Sequence, residues 1–305
     1  MALTMRKVIL WFAESKSVNR FMRKHGMRIG AQRFVAGESM DRAIAAVKEL
    51  NSKGIMATLD VLGESVSSAA EANAAAEEYL QLLDAINKSG VDSNVSMKLT
   101  QMGLNIDKKL CQANMERILT KAQGYKNWAR VDMEDSSLTQ ITIDFFNNLY
   151  TKFKNTGIVL QSYLPRALKD MEDYVNMNVN VRVVKGAYAE PDTVRYPLKA
   201  DTDKAYVEMC KMAMKKGVYV AVATHDEAII NALNAFVKEN KISKANFEYQ
   251  MLYGIRNDLQ TGLVQAGYRV RVYVPFGTQW YAYLMRRLAE NPANLTFFVK
   301  AYFKG

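Results

Sequence analysis

The fold is decided by residues 55–100, which read IMATLDVLGESVSSAAEANAAAEEYLQLLDAINKSGVDSNVSMKLT. The apolar run at 55–64 predicts a buried strand. The segment 67–90 is rich in Ala, Glu and Leu and ends in Gly90, which predicts a helix with a glycine C-cap. A second apolar run at 94–100 follows after only a few residues. This strand–helix–strand order is typical of a parallel β/α unit.

The same alternation recurs along the rest of the chain. Further strands are predicted at 128–135, 158–164, 180–188, 218–226, 246–252 and 268–277. Helices are predicted near 108–123, 137–155 (ending at Gly157), 164–177, 202–217, 226–240 and 255–267, and a helix capped by Ser39 precedes the first strand and ends at Gly54. Eight strands alternating with helices in 305 residues predict an α/β fold of the (βα)8 TIM type, which needs roughly 250 residues. We expect a helical extension at residues 1–36 and a barrel domain at 37–305.

The net charge of +10 bears on the class of partner. A basic chain can bind nucleic acid or an anionic membrane, or simply carry a solvated basic surface. The spacing of basic and aromatic residues is unlike that of a nucleic-acid module, so no nucleic acid is expected. Apolar residues at helical spacing in the basic N-terminal segment predict either packing on the barrel or peripheral contact with a membrane: Val8, Trp11, Phe12, Val18, Phe21 and Met22. The two distant cysteines favour reduced thiols and a cytoplasmic protein.

Polar residues at the carboxyl ends of the strands are the candidates for function, because barrel active sites gather there. In strand order they are Asp60, Glu64, Lys98, Asp132, Glu134, Asp135, Gln161, Arg182, Lys185, Thr224, His225, Glu248, Gln250 and Tyr273. The turn Lys185-Gly186-Ala187 is a weak candidate for phosphate binding. After the last strand, Tyr283 lies three residues before Arg286 and four before Arg287 on a predicted helix. The two adjacent arginines point about 100° apart, so they fit either a clamp on an anion that lies between them or a solvated basic surface. His25 and His225 have no companion at metal-ligand spacing, so no metal is expected.

These strand-end segments resemble the proline dehydrogenase family, specifically its monofunctional bacterial type. The segments are DVLGES, SMKLTQMG, RVDMED, VLQSYL, RVVKGAY, ATHD, FEYQML and RVYVPFGTQWYAYLMRRLAEN, in family order over roughly 55–295. The resemblance implies a distorted eightfold barrel that binds FAD without a Rossmann fold. It also implies oxidation of L-proline to Δ1-pyrroline-5-carboxylate, the first step of proline catabolism, by hydride transfer to flavin N5. The electrons would pass to a membrane quinone.

The resemblance also implies roles for individual residues. It makes Asp132 and Arg182 catalytic, with Arg182 beside flavin N5. Substrate contacts would be Lys98, Tyr273, Leu252, Arg286 and Arg287, the two arginines as a carboxylate clamp. FAD-binding positions would be Met133, Gln161, Lys185, Gly186, Ala187, Thr224 and His225. Glu64 would pair with the second arginine as a gate, and we expect Asp132 to orient Lys98 or Arg182 rather than act as a strong base.

Two other functions are compatible with the sequence. One is another flavin barrel, such as a folate-reductase-like enzyme, which would use a nicotinamide and would not need paired arginines after the eighth strand. The other is a basic module that binds nucleic acid or anionic lipid. It predicts a colourless protein and binding that weakens steeply with salt.

Overall fold

The computed structural model describes residues 31–63 and 66–290, and it describes side chains as far as Met285. Eight parallel strands form a closed barrel in sequence order, so the expectation of a (βα)8 barrel is confirmed. The strands are β1 (Met56–Val61), β2 (Ser93–Met97), β3 (Ala129–Val131), β4 (Thr156–Gln161), β5 (Val181–Val184), β6 (Val220–Ala223), β7 (Phe247–Leu252) and β8 (Val270–Phe276). The helices are α1 (Met40–Ser52), α2 (Ala69–Ser89), α3 (Lys108–Gly124), α4 (Ser136–Lys152), α5 (Ala167–Asn176), α6 (Lys199–Lys216), α7 (Glu227–Glu239), α8 (Asn257–Gln265) and α9 (Trp280–Glu290).

Helix boundaries follow the capping residues of the sequence. Ser39 caps α1 as predicted, and Gly90 ends α2 in the left-handed conformation with a φ of 67°. The prediction that Gly157 ends the fourth helix is wrong, because α4 stops at Lys152 and Gly157 lies inside β4. A Cβ atom at Gly157 would approach the carbonyl oxygen of Asn180 to 2.5 Å, so this glycine allows close approach within the barrel wall.

The inside of the barrel is unusually polar. Tyr273 on β8 donates a hydrogen bond to Asp132 after β3, and Arg182 on β5 reaches Ser96 on β2, so these bonds cross the barrel. These residues lie toward the carboxyl ends of the strands. Toward the amino ends, Arg130 is fully buried. Barrels of this type are more often filled by Val, Ile and Leu. Here polar groups fill that space, and each buried group needs a hydrogen-bond partner inside the barrel. The stability of the fold therefore depends on the hydrogen-bond geometry at the carboxyl ends of the strands.

The carboxyl ends of the strands form the mouth of the barrel. A second, smaller apolar core between the two ends of the described chain borders this mouth. Residues 31–38 run beside the end of β8, where the Ala36 amide donates to the Pro275 carbonyl (2.9 Å) and the Gly277 amide donates to the Gly37 carbonyl (3.0 Å). The Trp280 indole at the start of α9 donates to Glu38 (2.8 Å). The buried apolar members of this core are Ala31, Phe34, Val35, Leu62, Trp280, Tyr281, Tyr283, Leu284 and Met285. These contacts place α9 at the mouth.

Other sequence expectations concern targeting, metals and cysteines. Among the described residues, no helix is long and apolar enough to cross a membrane. In the same part of the chain, no three His, Cys, Asp or Glu side chains converge as a metal site. Cys111 and Cys210 are buried free thiols. Residues 1–30, most of the predicted N-terminal extension, lie outside the described residues.

Candidate active site

A cavity of about 670 Å³ opens at the carboxyl ends of the strands. Twelve of the residues that the family resemblance selected line it: Lys98, Asp132, Met133, Gln161, Arg182, Lys185, Gly186, Ala187, Thr224, His225, Leu252 and Tyr273. Glu64 lies outside the described residues. Arg286 and Arg287 belong to α9, but their side chains lie outside the described part. Tyr283, one turn earlier on α9, lines the cavity.

Asp132 is the centre of the hydrogen-bond network in this cavity. Its Oδ1 accepts from Arg182 Nη1 at 2.9 Å and from the Ser96 hydroxyl at 2.5 Å. Its Oδ2 accepts from the Tyr273 hydroxyl at 3.1 Å. Three donors from three strands therefore hold this carboxylate. Because both of its oxygens accept hydrogen bonds, the side chain of Asp132 is fixed in orientation.

The guanidinium of Arg182 has hydrogen-bond partners among the described residues at Nε and Nη1. Its Nε donates to the Gln250 side-chain oxygen at 2.6 Å, and its Nη1 bonds to Asp132. The Tyr273 ring lies 5.3 Å from the guanidinium carbon, within cation–π range. Nη2 is buried, and no described residue provides it with a hydrogen-bond partner. An unsatisfied buried cationic donor costs free energy, so this atom is suited to meet a ligand.

Lys98 and Asp60 form a second pair at the cavity wall. Lys98 Nζ lies 3.6 Å from Asp60 Oδ1, and Asp60 is buried. Burial disfavours the charge of Lys98, but the carboxylates of Asp60 and Asp132 outweigh it and raise the pKa of this ammonium. Burial also raises the pKa of Asp60, which Lys98 offsets only in part. Lys98 is therefore a fixed cation that faces the cavity.

A cluster of opposite charges borders the cavity beside β5 and β6. Lys185 Nζ lies 2.7 Å from Asp226 Oδ2 and 2.6 Å from Asp203 Oδ1, and Lys199 pairs with the same two carboxylates. The hydrogen bond from Lys185 lowers the pKa of Asp226 to about 2. The two acids hold Lys185 at the edge of the cavity.

Gly186 follows Lys185 and has a φ of +115°, which L side chains rarely adopt. A Cβ atom there would come within 2.5 Å of the Tyr163 ring. The sequence suggested that this glycine lets the backbone approach a phosphate. The close contact with Tyr163 is a further reason for glycine at this position, and it holds without a ligand.

His225 and Thr224 follow β6 and face the same cavity. His225 Nε2 accepts a hydrogen bond from the Leu252 amide at 3.0 Å, so the proton of a neutral ring is on Nδ1. The Thr224 hydroxyl accepts from the Asp226 amide at 3.1 Å. Both side chains thus fix the ends of β6 and β7 where they line the cavity.

The three acids after β3 have different positions, which their spacing did not reveal. Glu134 turns to the loop after β2, where it accepts from the Thr100 amide and hydroxyl. Asp135 caps α4 through the Ser137 amide at 2.9 Å. Neither lines the cavity, whereas Asp132 does.

Several residues that line the cavity have no role predicted from the sequence. Asp60 and Gln250 are candidates at strand ends for which the resemblance implies no role. Tyr188 and Gln279 were not singled out, although both line the cavity. Burial raises the pKa of Tyr188 to about 12, so its hydroxyl stays protonated as a donor. Its position three residues after Lys185, in the same strand-end loop, could have identified it.

Comparisons with known proteins identify the family of the chain. The family model for proline dehydrogenase matches residues 43–300. The chain is 44% identical over 305 residues to proline dehydrogenase of Deinococcus radiodurans, covering 98% of both chains. It is 41% identical over 300 residues to proline dehydrogenase 1 of Bacillus subtilis (strain 168), covering 98% of this chain and 99% of that protein.

Solved structures share the fold. Proline utilization A from Bdellovibrio bacteriovorus, inactivated by N-propargylglycine, superposes with a TM-score of 0.82 at 24% identity, over 93% of this chain and 38% of that polypeptide. Proline utilization A from Corynebacterium freiburgense gives a TM-score of 0.77 at 20% identity, over 98% of this chain and 34% of that one. The expected resemblance and the expectation of an oxidoreductase are confirmed, and the chain belongs to the proline dehydrogenase family.

Proposed function

We propose that the chain oxidises L-proline to Δ1-pyrroline-5-carboxylate with bound FAD, as the first step of proline catabolism, and passes the electrons to a quinone. One observation carries the proposal. A single cavity is lined by all twelve described residues that the resemblance selects, and one of them is the buried Arg182, whose Nη2 has no hydrogen-bond partner in the described part of the chain. The quinone rests on the family resemblance alone.

The residues of the cavity fit FAD. Arg182 Nη2 is a buried cationic donor without a partner among the described residues, which suits a group that gains negative charge. Gln161, Lys185, Thr224 and His225 offer polar contacts along the same wall. When bound, FAD supplies the acceptor for the hydride and its electron pair. The protein contributes binding, orientation and the local field.

The remaining wall fits proline. Lys98 is a fixed cation for the carboxylate, and Tyr273 and Leu252 offer apolar surface to the ring. We assign Arg286 and Arg287 on α9 to the same carboxylate, because a guanidinium fork binds a carboxylate through two parallel bonds. The amine must be neutral when hydride leaves the adjacent carbon. Cations nearby lower the pKa of an amine and so favour that neutral form.

The test is a visible spectrum of the purified protein before and after proline is added without oxygen. We expect a yellow protein whose flavin band bleaches with proline and stays unchanged with NADH. A colourless protein, or bleaching by NADH alone, would refute the proposal. The second result would favour a folate-reductase-like enzyme.

A further inference from the structure

A chain of buried hydrogen bonds runs from Arg182 toward the opposite end of the barrel. Arg182 Nε donates to Gln250 Oε1 at 2.6 Å, and Gln250 Nε2 donates to Glu248 Oε1 at 2.5 Å. Glu248 Oε1 also accepts from Arg271 Nε at 2.9 Å, and its Oε2 accepts from the Tyr219 hydroxyl at 2.8 Å. Glu248 and Gln250 are two residues apart on β7, so both point to the same face of the strand.

The charges of Arg182 and Glu248 determine the direction in which the Gln250 amide points in this series of hydrogen bonds. Burial works against ionisation of Glu248, but Arg271 and the other donors hold its pKa below the usual range. An ionised carboxylate can only accept, and an arginine can only donate. The Gln250 amide must therefore turn its nitrogen toward Glu248 and its oxygen toward Arg182. No other orientation satisfies both neighbours.

These hydrogen bonds determine the orientation of the Arg182 guanidinium. Gln250 fixes the Nε side of the guanidinium, while Asp132 and Ser96 fix the Nη1 side. Because a guanidinium is planar and rigid, two fixed sides determine where Nη2 points. We propose that Gln250 and Glu248 are positioning residues that fix the orientation of the Arg182 guanidinium, and so of Nη2, at the cavity wall.

This inference rests on the proposed function, in which Arg182 stabilises the charge gained by the flavin. Electrostatic stabilisation of this kind depends on donors that are already oriented before the reaction. A glutamine that only filled space would contribute to stability alone. A positioning glutamine also sets the reduction potential of the bound flavin, which can be measured without proline.

The experiment uses Gln250→Met in the full chain loaded with FAD. Methionine has a similar length but cannot accept the Arg182 hydrogen bond or donate to Glu248. We expect a more negative flavin potential in a dithionite titration. Reduction by proline should slow about tenfold or more, because a small misplacement of a reacting group is costly. The Kd for proline should change little.

Tyr206→Phe is the matched control. The Tyr206 hydroxyl is also buried and donates to the β5 backbone at Val183 (2.9 Å), but Tyr206 belongs to α6 and does not line the cavity. Its loss should lower Tm and leave the potential unchanged. A Gln250→Met protein with wild-type potential and wild-type reduction rate would overturn the proposal, whatever its Tm.

Glu248→Gln keeps the test decisive if the methionine variant fails to fold. The new amide still offers an oxygen to Gln250 and Arg271, so Arg182 should stay in place. Removing a negative charge alone would leave the potential equal or slightly more positive. A more negative potential in Glu248→Gln would contradict the proposal. If proline fails to bleach the wild-type flavin, the proposed function fails, while the potentials still test the positioning role.

Discussion

Arg182→Met would separate the contribution of this arginine to electron transfer from its contribution to binding. The substitution removes bonds to Asp132 (2.9 Å), Gln250 (2.6 Å) and Ser96 (3.3 Å) from a residue that is 5% exposed. It also leaves the Asp132 carboxylate without its cation. Breaking a buried pair in this way costs roughly 3–5 kcal/mol. We expect a folded protein with a clearly lower Tm.

The kinetic effect should be larger than the effect on binding. Loss of one donor directed at developing charge slows a reaction by about 10²–10³-fold, or roughly 2.7–4 kcal/mol. Proline should still bind, because its carboxylate is assigned to Lys98 and the α9 arginines. The Kd should therefore rise by less than about threefold, which is under ~1 kcal/mol.

The assay is anaerobic stopped-flow bleaching of the flavin over a range of proline concentrations. It gives the limiting reduction rate and the Kd separately. Arg182→Lys is the control, since it keeps the charge but loses the planar fork, and it should fall between wild type and Arg182→Met. Equal losses in rate and Kd, or an unchanged rate in the FAD-loaded variant, would refute the assigned role.

Three further predictions concern the rim of the cavity. Arg286→Lys or Arg287→Lys should raise the KM for proline sharply, since a point charge replaces a bidentate fork; an unchanged KM in both variants would rule out the clamp. Gly186→Ala should lower Tm and weaken FAD retention in a thermal release assay, more than Gly217→Ala, which is also left-handed but meets nothing within 4 Å; equal effects would show that only backbone strain matters. Asp226→Asn should reduce urea stability at pH 7 by about 1 kcal/mol, given partial exposure, because the folded pKa lies below the ordinary 3.8. That difference from wild type should shrink as pH falls from about 4 to about 2, and a constant difference would exclude this linkage.

The sequence predicted the barrel because each strand and helix has its own local signal, and it predicted the edge where the site lies because parallel strands end together. It could not separate Asp132 from Glu134 and Asp135. The direction of those side chains depends on where the chain turns after β3, and a loop of that length has no periodic pattern. The resemblance selected Asp132, and of these three acids only Asp132 lines the cavity.

The polar interior could have been read from the sequence. Pairs two residues apart, such as Glu248 and Gln250 on β7 or Arg271 and Tyr273 on β8, alternate with apolar residues that face the helices. The alternation indicates a polar inner face. The bonds that cross the barrel, such as Arg182 to Asp132, depend on closure and have no counterpart in local sequence.

The small core between residues 31–38 and α9 has a consequence for how the protein is made. Its two halves are separated by more than 230 residues, so they can meet only after translation has passed β8 and α9. Until then, a nascent chain has most of its strands but an open mouth. We expect cofactor capture to be a late event in biosynthesis, and chains interrupted after β7 to be substrates for quality-control proteases rather than partly active enzymes.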